Sequence, residues 1–176
     1  MLADSHRREA VKIGKTLGTQ RMPQAQTDLL ERARVHHLRT ARTLYDSVRA
    51  ELKDKDARTL TKLERTQLRN AYFSIGDCAM EMKDYDAAIA SYDEARLKYS
   101  DDPASLVAMA QIVSAYAAEG KWAEAKTANE RARQQLNKFP ESIWQTPDLP
   151  MEKRHWEAWL DARTLIAQQA AGDTEK

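Results

Sequence analysis

The sequence predicts an all-α protein, and three observations carry that prediction. Apolar residues recur at three- and four-residue spacing over most of the chain. Ala, Arg, Leu, Glu, Lys and Gln, the strong helix formers, dominate the composition. Five glycines, five prolines and two phenylalanines in 176 residues leave little punctuation for an all-β fold, which needs a turn roughly every 8–12 residues. The length suits one domain.

Residues 1 to 24 mix Gly14, Gly18 and Pro23 with scattered charge, and only Val11, Ile13 and Leu17 hint at amphipathicity. The expectation there is a flexible or partner-ordered arm, ahead of a single helical domain over residues 25 to 176. Asp28 with Glu31 matches a capping box, and Leu29, Ala33, Ala41, Leu44, Val48 and Leu52 follow at helical spacing. This predicts one long helix over 28 to 53. Thr61 with Glu64 is a second capping signal, opening a helix that Leu68, Ala71, Ile75, Ala79 and Met82 carry to about 82. Asp84 is placed to cap a helix ending near Tyr99, and Asp102 before Pro103 is a strong start for one running to about Glu119. Gly120 stands where a left-handed residue is wanted. Further helices are expected over 123 to 137 and 150 to 170, with Pro140, Pro147 and Pro150 keeping their connection irregular.

A net charge of +1 excludes a molecule whose main business is nucleic acid, although residues 1 to 50 hold ten Lys/Arg against five Asp/Glu. The single cysteine, Cys78, excludes an intramolecular disulfide and offers no zinc cluster; neither metal nor cofactor is expected. No apolar run approaches the roughly 18 residues of a membrane span, and no signal-like stretch follows the first basic residues. A soluble, cytoplasmic protein is therefore the expectation if the chain is complete.

An internal repeat appears at an offset of 37. Residues 83 to 88 and 120 to 125 correspond, as do Pro103 and Pro140, Ile75 and Ile112, Ala88 and Ala125, and Ala95 and Ala132. Tyr72, Ile75, Gly76, Ala79, Ala88, Tyr92 and Ala95 form one copy. Met109, Ile112, Val113, Tyr116, Ala125, Asn129 and Ala132 form the next, which lacks the glycine and puts Asn for the second aromatic.

On these residues the chain resembles the tetratricopeptide-repeat family, whose unit is 34 residues. The three extra residues, Ser100-Asp101-Asp102, look like the longer units of bacterial envelope and multi-repeat proteins. The resemblance covers repeats at 69 to 103 and 106 to 140. It implies a right-handed α-solenoid of antiparallel helix hairpins, with the long N-terminal helix as part of a degenerate earlier copy and residues 150 to 170 as a cap. It also implies a concave groove, lined here by Asn70, Phe73, Asp77, Met80 and Glu81 and by Val107, Ala110, Ser114, Ala117 and Ala118. The basic and Asn positions that clamp a C-terminal carboxylate in chaperone-binding relatives are not reproduced, which disfavours a chaperone-tail adaptor. An apolar groove of small residues with Phe73 and Met80 would accept a helix or extended segment from a partner, or from this chain itself.

Other residues read more blandly. His36 and His37 project about 100° apart on a helix and cannot chelate one metal together. Trp156 and Trp159 share a face, where a capping helix is favoured over exposed docking aromatics, and Trp144 could join them. Arg32, Arg34, Arg39, Arg42 and Arg49 read as a solvated face ahead of an acidic or RNA partner, since aromatic interleaving is missing. No nucleophile elbow, phosphate loop, His-Glu-x-x-His or Cys-x-x-Cys motif is present, so no catalytic residue is expected. The functional expectation is a non-catalytic scaffold for protein or peptide partners, self-association included. The alternative is an accessory subunit of an enzyme or envelope assembly, with RNA binding through residues 1 to 50 third.

Overall fold

The computed structural model describes residues 2–145, 149 and 151–173. They form seven α-helices and no strand: α1 Leu2–Thr19, α2 Gln24–Leu52, α3 Lys62–Glu81, α4 Tyr85–Lys98, α5 Ala104–Ala118, α6 Trp122–Lys138 and α7 Lys153–Asp173. A short 3-10 turn, Glu141–Gln145, precedes α7. The prolines at 147 and 150, expected to shape the connection, lie outside the described residues. The chain divides into two compact units, Met1–Ala88 and Ile89–Lys176, with the boundary inside α4.

Most helix starts follow the sequence signals. At α3 the Thr61 hydroxyl accepts the Glu64 amide at 3.2 Å while Glu64 Oε2 accepts the Thr61 amide at 2.8 Å, a complete capping box. The Thr61 amide and hydroxyl hold the Glu64 carboxyl below its usual range. Asp84 Oδ1 accepts the Ala87 amide at 3.3 Å, and Asp102 Oδ1 accepts the Ala104 amide at 2.8 Å. The signal at Asp28 is not used as a cap. Helix α2 starts at Gln24 behind Pro23, whose φ is already near that of a helix, and Asp28 lies inside it, accepting from Gln24 Nε2 at 2.8 Å.

Helices α3 and α5 end alike. The Asp84 amide reaches back to the Ala79 carbonyl and the Lys83 amide to that of Met80, both at 3.0 Å. Lys121 and Gly120 bond Tyr116 and Ala117 in the same pattern, at 2.9 and 3.1 Å. These are Schellman motifs. Their left-handed residues are Lys83, with φ of 60°, and Gly120, with φ of 75°.

The segment expected to be an arm is helix α1, packed against α2. Asp4 meets Tyr45 and His6 meets His37, so the two helices run antiparallel. What enters the core is not Val11, which is exposed, but Ala3 and Ala10. They join Leu38, Ala41, Tyr45, Ala71, Ile75 and Cys78 in the core of the first unit. Burying a residue the size of Leu38 or Tyr45 contributes roughly 1.5–3 kcal/mol. In the second unit Leu106, Met109, Ala132, Leu136 and Phe139 pack with Trp156 and Leu160 of α7.

Buried residues recur at matched spacing. Small ones seven apart are buried on three helices, as Ala3/Ala10, Ala71/Cys78 and Ala108/Ala115. On the helix after each, Ala41 and Tyr45, Ala88 and Tyr92, and Ala125 and Asn129 are buried four apart.

Candidate functional site

The residues of α3 expected to line a groove sit beside its buried face, with Asn70 exposed and Phe73, Asp77, Met80 and Glu81 half-buried. Their acidic members are engaged from within the unit. Arg7 of α1 places Nη2 2.7 Å from Asp77 Oδ2 and Nε 3.6 Å from Glu81 Oε1. Burial works against the Arg7 charge, but Asp77 and Glu81 outweigh it and its pKa rises. Arg34 of α2 donates to the Glu81 carbonyl at 2.9 Å. An acidic pair in the expected groove is thus read by two arginines of the preceding helices. Neighbouring Cys78 is fully buried, and burial pushes its thiol up to about 12.

The arginines that the sequence presents as a solvated series divide. Arg32 and Arg39 are exposed. Arg34 and Arg42 reach Glu81 and Asp84, while Arg49 pairs with Asp46 at 2.7 Å and lies 5.7 Å from the Tyr72 ring centre. Tyr45 donates its hydroxyl to Asp4 Oδ1 at 2.6 Å, which holds the Asp4 carboxyl below its usual range. Nδ1 of His37 is 2.9 Å from Nδ1 of His6, so one ring donates and the other accepts.

On α5, Val107, Ala110, Ser114 and Ala117 are half-buried and Ala118 is exposed. Val107 and Ala110 already pack against the cluster that holds Trp156. The Ser114 hydroxyl donates to the Ala110 carbonyl at 2.9 Å, leaving the strip with little polar character. Trp156, considered as a docking aromatic, is 4% exposed and packs in the core of the second unit. Trp159 is half-buried beneath the Arg163 guanidinium, 5.1 Å from the ring centre. Asn129 is buried, and its amide nitrogen donates to the Leu160 carbonyl at 2.9 Å and the Thr164 hydroxyl at 2.8 Å. Its Oδ1 has no hydrogen-bond partner among the described residues.

The second unit also holds a hollow of about 480 Å³ that sequence reasoning missed. Met109, Ile112 and Tyr116 of α5 line it with apolar surface, together with Ile89 of α4 and Ala123 and Ala128 of α6. The charged lining comes from Asp93 and Arg96 on α4 and Glu124 and Arg131 on α6. Each helix contributes at i, i+3 or i+4, and i+7, the stripe of one helix face. Such spacing is visible in the sequence, but the convergence of three stripes is not.

Comparison of the chain with models of protein families, with curated proteins and with solved structures gives no match. Among the described residues no group of three or more His, Cys, Asp or Glu could hold a metal ion, and no helix is long and apolar enough to cross a membrane.

Proposed function

We propose that the chain is a non-catalytic helical-repeat scaffold of tetratricopeptide type that holds a protein or peptide partner. The observation that carries this reading is the recurrence of one buried register. A small pair seven apart on α1, α3 and α5 is followed by Ala and a larger residue four apart on α2, α4 and α6. Paired small residues let two helices approach closely, and the larger residue fills the space this leaves. The matched Schellman turns at Lys83 and Gly120 support the same arrangement. In this reading α1 and α2 form a first, lengthened hairpin, α3 with α4 and α5 with α6 form the next two, and α7 is a cap held by Asn129. Three hairpins meet the number an array needs for stability. A partner-facing strip on α3, and one on α5, follow from the family resemblance.

Groove chemistry then sets the partner. Arg7 and Arg34 pair with Asp77 and Glu81, so the acidic positions of α3 offer a partner little net charge. An apolar peptide face suits that surface better than a charged tail does. RNA binding through residues 1 to 50 is less favoured, because five of the basic residues there take part in intramolecular ion pairs: Arg7, Lys12, Arg34, Arg42 and Arg49. The test is the affinity of a partner captured from the source organism for chains carrying Phe73→Ala or Met80→Ala. A loss of about tenfold is expected, about 1.4 kcal/mol. Unchanged affinity in both folded variants would remove the groove assignment.

A further inference from the structure

We infer that the hollow of the second unit is a second docking site, separate from the α3 and α5 groove positions, and that it takes one turn-and-a-half to two turns of an amphipathic helix from another polypeptide. Its shape is the first argument. Met109, Ile112 and Tyr116 make a stripe along α5, and α4 and α6 flank it with stripes of the same length. Seven residues of helix span about 10.5 Å, so the trough matches two turns of an incoming helix, whose own apolar residues would fall at i, i+3 or i+4, and i+7.

Charge decides which helix, and which way it runs. Asp93 and Arg96 neutralise each other at 2.6 Å on the α4 side. On the α6 side Glu124 and Arg131 are exposed, two turns apart and of opposite sign, and neither has an ion-pair partner among the described residues. A complementary helix carries an acidic residue where Arg131 lies and a basic residue where Glu124 lies. A helix is itself stabilised by acid near its N-terminus and base near its C-terminus. Both preferences are met together when the incoming helix runs antiparallel to α6, with its N-terminal acid on Arg131 and its C-terminal base on Glu124. Opposed signs at the two ends disfavour a polyanion, and the open trough disfavours an enclosed small ligand.

The probe is a displayed library of helical peptides with apolar residues at i, i+4 and i+7 and randomised flanks, selected on the full chain. Enriched peptides should carry an acidic N-terminal and a basic C-terminal flank. Their affinity should fall at least tenfold on Thr127→Trp, which fills the trough from an exposed position of α6. On the Glu124→Lys, Arg131→Glu chain the preferred flanks should reverse; this variant changes no core residue and guards against misfolding by the tryptophan. Phe73→Ala should leave the same peptides unaffected, so failure here and failure of the groove are told apart. Absence of enrichment, binding indifferent to Thr127→Trp, or flank preferences unmoved by the charge reversal would each overturn the inference.

Discussion

Lys83 and Gly120 occupy the same left-handed position of two matched turns, and exchanging their chemistry has opposite, calculable effects. At Lys83 a side chain is held at φ of 60°, where an L-residue costs about 1–2 kcal/mol. Lys83→Gly removes that cost and adds the larger conformational entropy of glycine in the unfolded chain, about 0.5–1 kcal/mol. A net gain of about 0.5–1 kcal/mol is expected. At Gly120, with φ of 75°, an added Cβ meets nothing within 4 Å, so Gly120→Ala introduces conformational strain without a clash. About 1 kcal/mol should be lost. Equilibrium urea unfolding measures both, and a change of 1 kcal/mol corresponds to roughly 4–8 °C in Tm for a unit of this size. The two variants must move in opposite directions. A destabilised Lys83→Gly or a neutral Gly120→Ala would refute the shared turn geometry.

Other substitutions test the packing in each unit. Asn129→Leu should cost at most about 1 kcal/mol in urea unfolding, since it removes two donated bonds but also an orphaned oxygen, whereas Asn129→Asp should cost about 3 or more. Burial would raise that new carboxyl above about 4, so its deficit relative to the parent should shrink as pH falls toward about 4 and be gone below it. A double-mutant cycle of Arg7→Ala and Asp77→Ala should give a coupling of about 0.5–1 kcal/mol, because both side chains are roughly a quarter to a third exposed, and 0.5 M salt should weaken it. The Cys78 thiol, raised by burial to about 12, should resist a disulfide reagent at pH 8 in the folded protein and react fully in urea; rapid native reaction would show that the core around it opens.

Six of the seven helices were legible because large apolar residues kept helical spacing between recognisable caps. Helix α1 was not, since its buried residues are the alanines at 3 and 10, which carry almost no amphipathic signal, while Val11 faces solvent. The Asp28 signal misled because Pro23, upstream, fixes the helix start first. For the candidate site, the positions on α3 and α5 are implied by the family resemblance alone. The ion pairs that occupy Asp77 and Glu81 were not legible, because Arg7 lies 70 residues before Asp77 and belongs to a segment read as a flexible or partner-ordered arm. Trp156 and Trp159 share a helix face, yet one is core and the other half-covered, which depends on what packs against α7.

The proposed scaffold role rests on a partner meeting the strip on α3 or the strip on α5. Site-specific photocrosslinking in the source organism tests this most directly, with a benzophenone amino acid at Phe73, Met80 or Ala117 and at the exposed control positions Lys83 and Lys98. The expected result is a discrete adduct with another polypeptide from the first three positions and none from the controls. No adduct at any of the three, or equal labelling from the controls, would contradict it.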